Sequence, residues 1–349
     1  MMSGYLSRME DQKFEELIMI HDAGCGLKAA IAIHSTLRGP ALGGTRMWSY
    51  PSEEEAIDNL MYLARGMSYK SAAADLPVGG GKGVIIGDPE RDKCKELFQS
   101  YGRYINKLSG RFYSGKDMGV DEEDLTIMRE VTDYVIGGKS IGSPSPYTAY
   151  GVWKGIKACA EEVYGSPSLE GKVVAIQGVG SVGEVLCRLL AEDGASLVVC
   201  DLDQKRAEEI RKQWGSAVVS PEEIYSQECN IFSPCAGGGV VNENTLPLLK
   251  CDIIAGAANN IYKSKDMAGA IAKRGILYAP DYMINAGGLI FVEMIRQGIS
   301  DVEKIKTEVA RIEGRLKELF RRVRSERLLP GEIADVIAEE KLQLRKEDS

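Results

Sequence analysis

Apolar and polar positions change their spacing along this chain, and the change divides it. In the first part the signals are mixed. Leu27 to His34 (LKAAIAIH) is an apolar run of strand length and predicts a buried strand. Ser52 to Met67 predicts a helix, with Ser52 as a suitable N-cap and Glu53, Glu54 and Glu55 favouring the positive end of the dipole. Gly83–Ile86 reads as a short strand stopped by Gly87-Asp88-Pro89, and Lys93–Leu108 as an amphipathic helix. An extended stretch at Arg111–Ser114 and a helix over Glu122–Thr132 follow. The run from Gly137 to Pro146 (GGKSIGSPSP) is the strongest linker-like stretch and marks a domain boundary.

Beyond it, strand and helix alternate regularly. Val173–Gln177, Ser196–Cys200, Asn230–Ser233, Asp252–Ala255 and Ile276–Ala279 are short apolar runs, most of them separated by segments of helix length. That is the sequence form of a doubly wound parallel sheet with right-handed crossovers. A long charged helix is expected over Val302–Arg324 and another over Glu332–Leu344. The expected fold class is α/β, with an N-terminal α/β domain over 1–136, the parallel-sheet domain over 137–288 and C-terminal helices over 289–349.

Composition supports this division. A chain of 349 residues with 44% hydrophobic and 27% charged residues has material for about two cores and argues against disorder. The formal charge of -8 is spread without a long basic tract, so neither nucleic acid nor an anionic membrane is an expected partner. No apolar run approaches the roughly 18 residues of a membrane span. The charged N-terminus lacks the apolar core of a signal peptide, and the eight cysteines form no C-x-x-C pair. These features read as a reduced, cytoplasmic protein. Two histidines, His21 and His34, leave little scope for histidine-dependent catalysis, and no metal is expected. Thirty-nine glycines, in contrast, ask what needs them.

One group has a recognisable use. Val173–Gln177 runs straight into Gly178-Val179-Gly180-Ser181-Val182-Gly183, a helix-compatible segment follows, and the next strand ends in Asp201, eighteen residues after Gly183. Strand, G-x-G-x-x-G, helix and a later acidic residue are the full context of a Rossmann dinucleotide site. Gly178 allows the turn, Gly180 lets backbone approach a pyrophosphate, and Gly183 lets helix pack on strand. The diphosphate sits on the positive helix terminus. Asp201 accepts hydrogen bonds from the ribose hydroxyls and repels a 2′-phosphate, which favours NAD; Arg206 pulls the other way, toward phosphate or adenine.

The second group lies in the first half. Gly43-Gly44-Thr45-Arg46 is followed by Lys70, then Gly79-Gly80-Gly81-Lys82, then Gly115-Lys116-Asp117. This is no phosphate-binding G-x-x-x-x-G-K-[ST] loop, because Gly83 follows Lys82. A dinucleotide enzyme almost without histidine still needs a base near neutral pH. A lysine desolvated beside another cation has its pKa lowered toward that range, and Lys70 with Lys82 is a candidate pair.

Together, ALGGTRMW (41–48), MSYK (67–70), GGGK (79–82), GKDMG (115–119), AANN (257–260) and PDYMINAGG (280–288) resemble the Glu/Leu/Phe/Val amino-acid dehydrogenase family, in its leucine/phenylalanine branch. The match runs in order from about Ile31 to Ile290, with the dinucleotide motif in its expected place. The resemblance implies NAD-dependent, reversible oxidative deamination of an L-amino acid to its 2-oxo acid and ammonium, an oxidoreduction at CH–NH2. It implies that Lys70 binds the α-carboxylate, that Lys82 is the base that activates water, and that Asp117 shuttles protons to and from the amino group. Asn285 helps to orient substrate, Asn260 contacts the nicotinamide ribose or substrate, and Thr148 lies near the nicotinamide amide. Ala236, Val179, Ser181 and Val182 complete the cofactor set. An active site in an interdomain cleft that closes on binding, C-terminal helices returning to the first domain and a homo-oligomer built through that domain are implied likewise.

Substrate choice turns on few positions. Glutamate enzymes carry a lysine where this chain has Leu42, just before Gly43, and a serine where it has Val292; an apolar pocket cannot desolvate a second carboxylate cheaply. Relatives that favour leucine tend to place Ala and Val where this chain has Gly115 and Leu289, and relatives that favour aromatic substrates place Gly and Leu there. The reading leans to phenylalanine or another aromatic, with leucine or valine as the alternative. A non-catalytic NAD-binding regulatory protein is the reading from another class, and it would be expected to have lost Lys82 or Asp117. Glycines serving only as strained turns are the plainest reading, and it leaves the accompanying lysines and asparagines without a reason.

Overall fold

The structure, a computed structural model, describes residues 4–139, 141–264 and 266–343. It falls into two compact units: one holds the chain as far as Ser143, with Ile295–Gly298 and the chain from Ala338; the other holds Pro144–Met294 and Ile299–Ile337. Ser140 of the linker and Leu344 of the last predicted helix lie outside the described residues.

In the first unit the order is α1 (Tyr5–Gln12), β1 (Glu16–Asp22), β2 (Leu27–Ser35), β3 (Ala41–Trp48), α2 (Glu53–Ala73), β4 (Gly79–Ile86), α3 (Lys95–Lys107), β5 (Phe112–Lys116) and α4 (Glu122–Arg129). The strands form one sheet in the order β1-β2-β4-β3-β5. β2 pairs antiparallel with β1 and β4, whereas β3 pairs parallel with β4 and β5. The apolar run in β2 is buried on both faces. Ala30 and Ala32, with Val84, pack on Ile57, Leu60, Met61 and Ala64 of α2. Ile31 and Ile33, with Met47 and Phe112, pack on Phe98, Tyr101 and Ile105 of α3 and Leu125 of α4.

Ser52 caps α2, its Oγ accepting from the Glu55 N–H at 3.1 Å. The helix runs past the expected end at Met67 to Ala73. β4 begins at Gly79 rather than Gly83, so the three glycines are strand and not loop. The two differences have one cause. A β-carbon on Gly80 would lie 2.0 Å from the Ser68 backbone nitrogen, so α2 lies directly on bare β4 backbone. Ser71 Oγ donates to the Gly79 carbonyl at 3.2 Å and continues the seam.

The second unit contains α5 (Ser145–Tyr164), β6 (Val173–Gln177), α6 (Gly183–Glu192), β7 (Ser196–Cys200), α7 (Gln204–Trp214), β8 (Ala217–Val218), β9 (Ile231–Pro234), β10 (Ile253–Ile254), α8 (Asp266–Lys273), β11 (Leu277–Tyr278), α9 (Asp281–Ile284), α10 (Gly287–Arg296), α11 (Val302–Glu326) and α12 (Pro330–Gln343), the last reaching into the first unit's share of the chain. The sheet order is β11-β10-β9-β6-β7-β8, with every pair parallel. This is the doubly wound sheet that the alternation predicts.

Two boundaries differ from the sequence reading. The first unit extends to Ser143 rather than 136, because Gly138 N–H donates to Glu122 Oε2 at 2.7 Å and Arg129 donates to the Gly137 carbonyl at 3.1 Å. The segment 289–349 does not return as a whole to the first unit. α11 groups with the second, where Gly151 of α5 leaves space for Val309 and Ile312, and Gly155 for Leu316. Among the described residues no helix is long and apolar enough to cross a membrane.

Candidate active site

Strand order brings the chemistry of the first unit together. β3 lies between β4, which carries Lys82, and β5, which leads into Asp117. The Lys82 ammonium and Asp117 Oδ2 nevertheless form an ion pair, with side chains 8% and 16% exposed. They reach each other because the intervening strand has no side chain at Gly43 and Gly44. A β-carbon on Gly44 would lie 2.4 Å from the Lys116 carbonyl oxygen, and one on Gly43 would lie 1.8 Å from the Gly81 carbonyl oxygen. Asp117 Oδ1 accepts from the Met118 N–H at 2.7 Å and faces Arg46 Nη2 at 3.4 Å.

These neighbours decide the charge of Asp117. Burial pushes its pKa up, but the Lys82 and Arg46 charges and the hydrogen bonds from Lys82 and Met118 outweigh burial, and the carboxyl ends below its ordinary value. It is therefore ionised at neutral pH. A carboxylate stands beside Lys82, delivered by β5 over the glycines of β3.

Lys70 is half-buried on α2, between Tyr69 and Ser71. The stretch that carries it is pinned, since Ser68 lies against Gly80 and its Oγ is 2.8 Å from His34 Nδ1. Leu42 is buried opposite Gly80 and Tyr113, and Gly44 is in register with Gly115. A β-carbon on Gly115 would meet only the Ile136 carbonyl oxygen, at 3.3 Å. Arg46 had no role in the sequence reading although its motif was quoted. Its signal was a cation two residues after paired glycines.

The second unit carries the dinucleotide loop. Gly178 turns the chain at φ +93°, and its hydrogens face Ala236, whose Cβ would be 2.6 Å from an added β-carbon. Among the described residues beyond its chain neighbours, an Arg206 nitrogen at 3.8 Å is what a β-carbon on Gly180 would meet within 4 Å, so the backbone is open to a ligand. A β-carbon on Gly183 would be 2.1 Å from the Gly178 carbonyl oxygen, so the first turn of α6 sits hard against the loop. Asp201 accepts from the Val179 N–H at 2.8 Å and from the Asp203 N–H at 2.9 Å. A cavity of about 460 Å³ is lined by Val179, Gly180, Ser181, Glu184, Arg206 and Glu209 among others. Val182 precedes α6 at its N-cap.

A second constellation surrounds the start of α10. A β-carbon on Gly287 would be 2.1 Å from the Tyr147 carbonyl oxygen, and one on Gly288 would be 2.6 Å from Thr148 Oγ1. Thr148 of α5 therefore lies hard against the first turn of α10, the helix that also carries Leu289 and Val292. Asn285, 4% exposed, donates to the Ala257 carbonyl at 3.0 Å and to Asn259 Oδ1 at 2.9 Å. Its own Oδ1 is buried without a hydrogen-bond partner among the described residues. Asn260 adopts the left-handed conformation, φ +51°, and its N–H donates to Asp281. The open backbone at Gly180, the helix terminus behind it, the carboxylate at Asp201 and the unpaired amide oxygen of Asn285 fit a dinucleotide.

A parallel doubly wound sheet with this loop, on a chain that also carries a buried lysine–carboxylate pair, defines a dinucleotide-dependent oxidoreductase. Residues 15–134 match the model "Glu/Leu/Phe/Val dehydrogenase, dimerisation domain", and 137–204 and 199–327 match "Glutamate/Leucine/Phenylalanine/Valine dehydrogenase". The chain belongs to this family, in its leucine/phenylalanine branch. It is 46% identical over 339 residues to a leucine dehydrogenase of Bacillus subtilis (96% of this chain, 93% of the relative). It is 43% identical over 336 residues to an L-tryptophan dehydrogenase of Nostoc punctiforme (95% and 94%). A crystal structure of L-tryptophan dehydrogenase from Nostoc punctiforme superposes with a TM-score of 0.89 at 41% identity, covering 99% of this chain and 100% of that one. The protein is an amino-acid dehydrogenase, and its cofactor is NAD.

Proposed function

We propose that the protein catalyses the reversible oxidative deamination of an apolar L-amino acid: amino acid, NAD and water give the 2-oxo acid, ammonium, NADH and a proton. The observation that carries this reading is the buried Lys82–Asp117 ion pair above Gly43 and Gly44. NAD, when bound, accepts the hydride from the substrate Cα. The remaining work falls to side chains. Lys70 holds the α-carboxylate as a cation on a pinned stretch of helix. Asp117 takes a proton from the substrate ammonium and frees its lone pair. Lys82 holds a water molecule and takes its proton as the oxygen adds to the imine carbon; Asp117 then returns a proton to the departing amine. Lys82 acts as the base in its uncharged form. Thr148 and Asn260 are assigned to the nicotinamide end of the cofactor, Gly178–Gly183 to its diphosphate, Asp201 and Arg206 to its adenosine, and Asn285 to orienting the substrate.

Leu42 stands where glutamate enzymes carry a lysine and Val292 where they carry a serine, and neither apolar side chain can pair with a second carboxylate, which argues against glutamate. The space beside Gly115 supports an aromatic ring, as in phenylalanine or tryptophan, and the tryptophan-dehydrogenase relative agrees with it. A leucine or valine substrate is the second reading, favoured by the higher identity to leucine dehydrogenase. We also propose a homo-oligomer built through the first unit, supported by its match to a dimerisation-domain model. A panel of phenylalanine, tryptophan, leucine, valine and glutamate, with the 2-oxo acids and ammonium in reverse, tests the reading. Turnover is expected with the apolar acids, best with an aromatic one. Preference for glutamate, or turnover with none, would overturn it.

A further inference from the structure

Arg46 touches the reacting pair, yet the chemistry above gives it nothing to do. We propose that Arg46, held from behind by Asn59 and Tyr50, is a positioning residue for Asp117: it fixes which carboxylate oxygen is presented to Lys82 and keeps the carboxyl ionised in its buried site. The inference rests on the roles proposed for Lys82 and Asp117.

The arrangement follows from the sheet. β3 is the strand between the Lys82 and Asp117 strands, so a side chain on its upper half lies beside both. Val84 of β4 points toward α2, packing on Ile57 and Leu60, and Lys82, two residues earlier, shares that face. Arg46, in register with Val84, reaches the same side, where its Nη1 donates to Asn59 Oδ1 of α2 at 3.3 Å. The Tyr50 hydroxyl donates to the same oxygen at 2.9 Å. Asn59 is therefore a fixed acceptor that aims the guanidinium, and Nη2 faces Asp117 Oδ1 at 3.4 Å. The two carboxylate oxygens are thus divided. Oδ1 is held by Arg46 and the Met118 N–H, and Oδ2 is left for Lys82.

Charge points the same way. The groups that face Asp117 are Lys82 from β4, Arg46 from β3 and Tyr50 from the loop after β3, while Lys116 on its own strand is half exposed and pairs with Glu122 at 3.4 Å. Burial pushes the Tyr50 phenol above its ordinary pKa, so it stays a neutral donor to Asn59. Arginine suits the position, because its planar fork donates to Asn59 and Asp117 at once. Arg46 is a second cation beside Asp117 and, with Lys82, offsets the cost of burying the carboxylate.

The test is NAD-dependent deamination of the best substrate of the panel, followed from pH 5 to 11 with melting curves, for wild type, R46Q, R46K and N59A. R46Q should lower kcat about 100-fold while leaving KM for NAD and for the amino acid within twofold and the melting temperature within a degree or two. R46K should restore part of kcat, and N59A should lower kcat about tenfold with both KM values unmoved. A merely structural arginine would lower the melting temperature and move the KM values together with kcat, and that result overturns the proposal. If R46Q does not fold, Y50F decides: a lower kcat at an unchanged melting temperature is expected, and wild-type kcat overturns it. Turnover by the wild type with kcat of R46Q unchanged sinks this inference alone, whereas no wild-type turnover sinks the reading beneath it as well.

Discussion

Gly44 and Asp117 stand so close that a β-carbon on the glycine would lie 3.1 Å from the aspartate Cβ. The contact explains why the strand between Lys82 and Asp117 is bare: any side chain there would occupy the path by which the two charges meet. A Gly44→Ala variant must also push back the Lys116 carbonyl oxygen, which is backbone and gives little. It should cost about 1–3 kcal/mol of stability and lower kcat about 100-fold by separating the pair. Thermal melting and steady-state kinetics on the same preparation measure both.

Gly287 and Gly288 separate two kinds of crowding. At Gly287 the obstacle is the Tyr147 carbonyl oxygen, and at Gly288 it is the Thr148 hydroxyl, which can rotate away. Gly287→Ala should therefore lower the melting temperature. Gly288→Ala should leave it within a degree or two while raising KM for NAD about tenfold, on the order of 1.4 kcal/mol of binding. The reverse order of melting temperatures would contradict this account of the α5–α10 junction.

His34 gives the first unit a dependence on pH. Burial, with the Arg65 charge helping, pushes its imidazole down to about 4, against an opposing hydrogen bond with the Gln12 backbone. The unfolded chain takes up a proton near pH 6.5 and the folded one does not until about 4, so the stability is complete above pH 6.5 and is lost as pH falls through that window. The loss amounts to about 3 kcal/mol if the whole shift is realised. Denaturant titrations at steps from pH 7.5 to 4.5 should show it, and a His34→Gln variant should flatten the slope. An equal slope in the variant would assign the effect to other groups.

The Asp201 oxygens hold the Val179 and Asp203 N–H groups, and the proposed function adds the adenosine ribose as a further partner. Asp201→Ser should raise KM for NAD about tenfold and increase the ratio of NADP to NAD use, with Arg206 supplying the cation for the extra phosphate. Competition assays with the two cofactors read the ratio. An unchanged ratio would remove Asp201 from the choice.

What was legible in the sequence follows a physical rule. β2, the start of α2 and the β6–loop–α6 unit were readable because each advertises itself through side chains: a continuous apolar run, a serine cap before three glutamates, and glycines in a spacing only a turn and a close approach explain. The apolar signal of β4 starts only at Gly83, because glycine carries no side-chain period to mark the bare first half of the strand. The end of α2 was missed for the same reason, since the groove that receives Ser68 is made of absent atoms. β3 carries no such signal at its two glycines, and with it goes the strand order that sets Asp117 against Lys82. Arg46 fell in the same gap. α11 carries the apolar spacing of a packed helix, but which unit it packs on depends on Gly151 and Gly155 of α5, far from it in the chain.

The most direct test of the account is the Lys82→Ala variant, assayed for NAD binding by titration and for deamination of the preferred apolar amino acid by NADH formation. Binding of NAD within twofold of wild type is predicted, with kcat reduced by about 10³-fold or more, because the base is gone while the loop of the second unit is untouched. A variant that binds NAD and deaminates at the wild-type rate would contradict the central claim that the Lys82–Asp117 pair is the reacting centre.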